Sequence, residues 1–398
     1  MPVAESHQSS KSGSTASDGE HHQRVDRAGA RHAYAWQSDR KVIIARYVFV
    51  TMLSMIATLG CLEALARVVV SLGKPINFST NIFDAKYYEA VCPRNTAVPR
   101  LFFLGTSHVG NGVYGELISR RLEQSGYRVE VSNLGCPWGF PTDELFLLRE
   151  AIAHGAKPAA VIFEIEHSGF VSPYCAAHYS EEFRKSYMGY LVAERKSPID
   201  KLKYRLDKYS FLFRYRAYFY QTLVSLRNTL LGYEWMNTSS DGVHRETSVQ
   251  GWVPLYSLLS PERLKSSLAK REKQHMDYFQ NALPIDKNIR NYNVQPVYEF
   301  CKSNHIPLIL LRMPVHPQFE QLFCRTLRVS PEHFEDVFRK QAAIYHAPVL
   351  DFSGDKDDDH FSDCDHLSAL GAITTSERIA RALSEKPYSD LLQRYRTK

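Results

Sequence analysis

Three short stretches of this chain carry residue types able to do covalent chemistry. In Leu104-Gly105-Thr106-Ser107-His108 a glycine precedes two small hydroxyl residues at what reads as a strand-to-helix turn. Such a turn exposes a hydroxyl beside backbone N–H groups that can stabilise an oxyanion, which makes Ser107 a candidate nucleophile. The same residues would suit a Ser or Thr that only caps a helix. In Asn133-Leu134-Gly135-Cys136-Pro137-Trp138-Gly139 two glycines and a proline let backbone N–H groups face a reacting carbonyl, with Asn133 pinning the loop. A plain Gly/Pro turn would read the same way.

In Phe361-Ser362-Asp363-Cys364-Asp365-His366-Leu367, Asp363 stands three residues before His366. Its carboxylate can reach back to the imidazole Nδ1, fixing the tautomer so that Nε2 takes a proton from a serine. Asp365 adjoins the histidine and is worse placed to face it. For Asp363 the alternatives are a helix cap or one of a metal pair, and the residues a metal site would need are incomplete. His316, in Pro314-Val315-His316-Pro317, lies at a strand end where it could touch substrate or pack at the core edge. Asp357, Asp358, Asp359 and His360 form an acidic loop that reads as a cation site or a solvated face.

These residues need a scaffold that brings distant loops to one place. Apolar runs recur at Arg100 to Leu104, Arg128 to Asn133, Ala160 to Ile165, Pro307 to Leu311 and Pro348 to Phe352. Their hydrophobicity is mostly continuous rather than alternating, as in strands covered on both faces. Helical patterns lie at about Gly115 to Gln124, Thr142 to His154, Val294 to Ser303, Pro331 to Tyr345 and Leu367 to Leu383. The fold class expected is α/β: a three-layer, doubly wound, flavodoxin-like domain on a five-stranded parallel sheet. Ligands in such sheets gather beyond the carboxyl ends of the strands, where the three loops fall.

The domain is expected over 100–390, with a large helical insertion at about 168–291. The middle of the insertion interleaves Lys and Arg with aromatics, as a membrane-surface helix would, although packing on its own domain is commoner; Phe211, Phe213, Tyr215 and Tyr218 would then be packing residues. Ahead of the domain, residues 1–41 are polar and read as a disordered tail, and 71–99 read as a linker. Between them, Val42 to Leu62 has one charge, Arg46, and about 20 apolar residues cross a ~30 Å hydrocarbon layer. An uncleaved signal anchor over 42–70 fits better than a cleaved signal peptide, because some forty polar residues precede it. Arg24, Arg27, Arg31, Arg40, Lys41 and Arg46 precede or open the span and only Arg67 and Lys74 follow closely, which places the tail in the cytoplasm and the large domain in the extracytoplasmic or periplasmic space.

Composition bounds the rest. With 44% hydrophobic residues in 398 the chain can build a real core. A net charge of +6 with no basic block argues against nucleic acid as a partner. Outside the span lie Cys92, Cys136, Cys175, Cys301, Cys324 and Cys364, an even number in a disulfide-permissive space, and no CxxC pair has zinc spacing.

Taken in order, GxS near the domain start, the Gly-rich turn after the second strand and DxxH before the last helix resemble the SGNH (GDSL-like) hydrolase superfamily. The ending FxDxxHLxxxGA, and the apolar strand running into Leu311-Arg312-Met313-Pro314, look most like its membrane-anchored extracytoplasmic branch related to polysaccharide and cell-wall O-acetylation proteins. The resemblance covers about Arg100 to His167 and Ile306 to Leu383. It implies Ser107 as nucleophile, His366 as general base and acid, and Asp363 as its orienter, with Ser107 and Gly139, or Gly135, supplying oxyanion N–H groups. Thr106 stands where the wider family has Asp, and Glu164-Ile165-Glu166-His167-Ser168 replaces the family's GxND, which puts Glu166 on the oxyanion side.

The function expected is O-acyl, in particular acetyl, transfer to a glycan or cell-envelope polymer, with no cofactor. The resemblance further implies an acyl donor delivered by a membrane-bound O-acyltransferase. The alternatives are an esterase or deacetylase, and a non-catalytic glycan-binding component of an acylation complex.

Overall fold

The computed structural model describes residues 19–71, 82–91, 97–137, 141–170, 252–279 and 293–396, with scattered positions between 198 and 214. The chain divides into two units, Met1–Leu65 and Ala66–Lys398. One long helix, α1 (Gly19–Ser71), begins in the first unit and contains a stretch, Lys41–Val68, long and apolar enough to cross a membrane. Its apolar side chains, among them Ile44, Phe49 and Ile56, are exposed, as a bilayer would require of them.

The second unit is built on five strands, all parallel: β1 (Arg100–Leu104), β2 (Glu130–Asn133), β3 (Pro158–Glu164), β4 (Leu308–Arg312) and β5 (Val349–Asp351). Their spatial order is β2-β1-β3-β4-β5, the doubly wound order expected of the α/β class. Successive residues of a strand point to opposite faces. Phe102 and Leu104 accordingly enter one core while Leu101 and Phe103 enter the other, and β4 divides Leu310 from Ile309 and Leu311 in the same way. Two buried faces explain why these strands read as unbroken apolar runs.

On one face lie α2 (Ile82–Val91), α5 (Pro141–Ala153), α7 (Val294–Ser303) and α9 (Pro331–Tyr345). On the other lie α4 (Gly115–Gln124) and α10 (Ala369–Ser384), packed together, with α11 (Tyr388–Leu392) beyond. Three further helices, α3 (Ser107–Gly112), α6 (Pro261–Phe279) and α8 (Pro317–Leu327), sit at or near the carboxyl edge of the sheet.

Several expectations change. The stretch expected as a disordered tail is helical from Gly19, because no proline interrupts 19–41 and a helix started in the apolar span extends cheaply back through it; residues 1–18 lie outside the described residues. The stretch expected as a linker contains α2, whose Phe83, Tyr87, Tyr88 and Val91 are buried in the core. Ten residues with apolar groups on most sides lack the amphipathic stripe that would have announced a helix. Of the insertion, the middle lies largely outside the described residues: Phe211 and Phe213 open a single helical turn with Phe213 half-buried, and nothing is described at Tyr215 or Tyr218. Its end, 252–279, folds onto the main domain. Cys136, Cys301, Cys324 and Cys364 are buried free thiols; Cys92 and Cys175 lie outside the described residues.

The start of α10 presses directly on the acidic loop. A Cβ built on Gly371 would collide with the His360 carbonyl oxygen, and Ser368 donates its N–H to that same oxygen at 2.8 Å. Gly371→Ala is therefore expected to destabilise the full chain by about 1–3 kcal/mol. Chemical denaturation in detergent checks this; an unchanged midpoint would mean that the helix start can slide.

Candidate active site

β1 ends at Leu104, and the chain turns through Gly105 into α3. A Cβ on Gly105 would meet Glu164 Oε2 at 2.5 Å, and φ is +155°, so glycine alone lets the turn lie against the end of β3. Thr106, not Ser107, caps the helix: its hydroxyl accepts the His108 N–H at 3.2 Å. That leaves the Ser107 hydroxyl available for another partner.

The partner comes from the opposite end of the domain. Residues 361–367 form a tight loop in which Ser362 N–H donates to the His366 carbonyl at 2.8 Å. The loop turns the His366 ring toward α3, and Nε2 lies 2.8 Å from Ser107 Oγ. Both oxygens of Asp363 lie 3.0 Å from Nδ1 of His366. A carboxylate only accepts, so Nδ1 carries the proton and Nε2 is the acceptor for the serine hydroxyl. Asp363 is itself held by the backbone N–H groups of Asp365 and His366, at 3.0 and 2.8 Å. The three residues expected to work together are brought together.

Beside them runs a row of alternating charges. Glu164, the last residue of β3, accepts from Thr106 N–H at 2.7 Å and from the Thr106 hydroxyl at 3.0 Å. Its other oxygen lies 2.8 Å from His108 Nδ1. His108 Nε2 lies 3.6 Å from Asp365, and Asp365 pairs with Arg271 at 2.6 Å. Burial opposes a charge on His108, but Glu164 and Asp365 outweigh it and lift its pKa to about 10. Burial also works against the Asp365 carboxylate, yet His366, Arg271 and His108 hold it well below the usual carboxylate range.

The loop after β2 is pinned as expected. Buried Asn133 donates to the carbonyls of Val109 at 2.8 Å and Val113 at 2.7 Å, and its Oδ1 accepts from Gly135 N–H at 3.0 Å. Gly135 is a packing glycine: an added Cβ would meet Gly110 N at 2.5 Å. Its N–H is engaged by Asn133, so it does not face a reacting carbonyl. Gly139 lies outside the described residues. Lys86, fully buried on α2, donates to both the side-chain and backbone oxygens of Asn133 at 3.1 Å. Burial lowers its pKa to about 8, although Cys136 and Glu89 act in the opposite sense.

Two expected site residues stand elsewhere. His316 caps α8, its Nδ1 accepting from Gln318 N–H at 3.2 Å, while Nε2 lies 3.2 Å from Asp358 and the ring packs on Phe361. A histidine before a proline at helix position N1 is placed to cap, and this one is bound on both nitrogens. Glu166 lies two residues past the strand, half-buried, with Asn293 at 3.4 Å. The carboxylate that the end of β3 sets against the nucleophile's turn is Glu164.

His108, Asp365 and His366 offer ligand atoms within 4.8 Å of one another. A cation there would compete with the Arg271 guanidinium and with a histidine that already holds its proton, so the electrostatics oppose a metal.

The residues that sequence reasoning missed come largely from segments it left aside. Trp252 donates to the Asn111 carbonyl at 2.6 Å, Val253 N–H donates to Gly110 at 3.1 Å, and Ala369 N–H donates to Leu255 at 2.7 Å. The end of the insertion thus laces the helix of Ser107 to the loop of His366, and α6 adds Arg271. Pro261 at the first position of α6 was a readable helix start; its destination was not readable. No family model matches the sequence, and no curated protein matches it. Among solved structures it superposes on a mutant of the esterase AlinE4 at 12% identity, with a TM-score of 0.30 over 73% of this chain and 96% of that one.

Asn133→Ala is expected to cost about 3 kcal/mol or more, since it strips partners from several buried groups at once; denaturation of the full chain measures it. A second expectation concerns pH. Burial raises the Asp143 carboxyl at the start of α5 to about 7 from an ordinary 3.8. A folded-state pKa above the unfolded one contributes stability that is present below about 3.8 and lost as pH rises through 7. Asp143→Asn should flatten the loss of stability across that window, and an unaltered slope would remove Asp143 as its source.

Proposed function

We propose that this chain transfers acyl groups through a serine ester. The observation that carries the reading is the continuous hydrogen-bonded path from Ser107 Oγ through His366 to Asp363, at 2.8 and 3.0 Å. That path matches what a hydroxyl needs to become a nucleophile near neutral pH: a base in contact and an orienter behind it.

In the proposed cycle, Ser107 Oγ attacks the carbonyl carbon of an acyl donor as His366 Nε2 takes the hydroxyl proton. The resulting imidazolium is stabilised by Asp363. Collapse of the tetrahedral adduct breaks the bond to the leaving group, which departs with the proton from His366, and leaves an ester on Ser107. An acceptor hydroxyl then gives its proton to His366 and attacks the ester. The product carries the acyl group, and the proton returns to Ser107.

Membrane anchoring through Lys41–Val68 favours transfer over hydrolysis, because a tethered enzyme can take acyl groups from a partner in the same membrane. With the family resemblance, this supports an anchored O-acyltransferase, with the tail cytoplasmic and the domain outside, moving acetyl groups to a glycan or cell-envelope polymer from a donor supplied by a membrane-bound O-acyltransferase. An esterase would use the same serine ester with water as acceptor. The two differ in acceptor: a transferase passes acetyl from a model ester preferentially to glycan.

A serine-directed fluorophosphonate probe tests the shared chemistry. Wild type is expected to be labelled, and Ser107→Ala and His366→Ala to lose labelling, with acyl transfer falling by roughly 10³-fold or more. Well-folded wild type that resists the probe would sink the reading.

A further inference from the structure

The carboxylate of Glu164 sets a problem for any serine ester formed at Ser107. It is buried at the end of β3 with one oxygen on the backbone N–H of Thr106, the residue just before the nucleophile. Negative charge develops beside Ser107 when a carbonyl is attacked, and a bare carboxylate hydrogen-bonded to the residues on either side of Ser107 would oppose it. Helix α3 is too short, at six residues, for its macrodipole to offset the effect. The compensation has to come from a side chain.

His108 meets that need on geometry alone. It is the second residue of α3, its ring is nearly buried, and Nδ1 lies 2.8 Å from the Glu164 oxygen that Thr106 leaves free. Nε2 faces Asp365 at 3.6 Å, and the ring centroid is 5.5 Å from that of His366. Both nitrogens therefore face carboxylates, an arrangement that suits the doubly protonated ring. At the far end, Arg271 from the insertion answers the charge of Asp365 at 2.6 Å. Two anions and two cations alternate, and the row as a whole is neutral.

We infer that His108 is a positioning residue of the acyl-transfer site: an imidazolium that neutralises Glu164, so that this carboxylate can hold the nucleophile's turn without opposing the charge formed at Ser107. The inference rests on the acyl-transfer reading above. It assigns a role to a carboxylate at the end of β3, in the segment where the resembling family carries an Asn oxyanion donor. It also makes the insertion part of the site, because Arg271 is the cation from outside the loop and α3 that answers Asp365, and its removal would leave that charge to His108 and His366.

The test is a charge-removal cycle on the full chain in detergent, read by fluorophosphonate labelling of Ser107 and by turnover of a model acetyl ester. His108→Gln is expected to slow labelling and kcat on the order of 10- to 100-fold, with KM changed much less. Adding Glu164→Gln to that variant removes the uncompensated anion and recovers most of the loss, which a merely structural role for the pair would not produce. Should His108→Gln fail to fold, His108→Lys, which keeps a cation beside Glu164, is expected to retain labelling within about tenfold of wild type. A double variant as slow as the single one, or a lysine variant as inactive as an unfolded one, would overturn the assignment while wild-type labelling still upheld the serine ester. A wild type that resists the probe overturns both.

Discussion

Strand β1 is paired on both edges, to β2 and to β3, and its side chains are buried on both faces. A strand so confined cannot shift without breaking two ladders and opening two cores. The turn that leaves it is therefore fixed, and Ser107 stands at a defined place on the carboxyl edge of the sheet. Everything else at the site is arranged around that place: β2 sends Asn133 under the turn, β3 sends Glu164 against its flank, and the last helix is preceded by the loop that carries His366 and Asp363.

Buried polar groups in this region come in sets whose members satisfy one another. Asn133 joins Lys86, Gly135 and the carbonyls of α3; Glu164 joins Thr106 and His108; Asp365 joins His108 and Arg271. Such networks are stable when complete and costly when one member is removed. They also bind outlying segments to the core of the domain. Lys86 comes from the segment between the apolar helix and β1, and Arg271 from the end of the insertion, so two stretches that look peripheral in the chain have ends in the site.

The scaffold was legible in the sequence because burial on both faces leaves an unmistakable pattern. All five strands fall within two or three residues of where their apolar runs place them, and α4, α7 and α9 match their periodic stretches end to end. The short or structurally dependent elements were not legible. Helix α2 has no polar face to give it period, and α3 has only six residues, too few for a period to emerge. His316 could be read as a substrate contact or a core-edge residue because it lies at a strand end, but the proline that follows it at N1 equally marks a helix whose first N–H groups need an acceptor.

What the sequence by itself determined is local: which runs must be buried strands, which stretch is apolar enough to cross a bilayer, and that Asp363 can reach His366 across three residues. These follow from side-chain type and short spacing, where chain geometry leaves few choices. Only the tertiary structure decided that Ser107 meets His366 across 259 positions, and that Glu164 rather than Glu166 lies against the nucleophile. It also decided that the Gly135 N–H is already engaged, and that charges from β3, α3, the His366 loop and the insertion cancel in a row. Those facts depend on which distant groups share a low-dielectric space, and spacing along the chain carries no record of that.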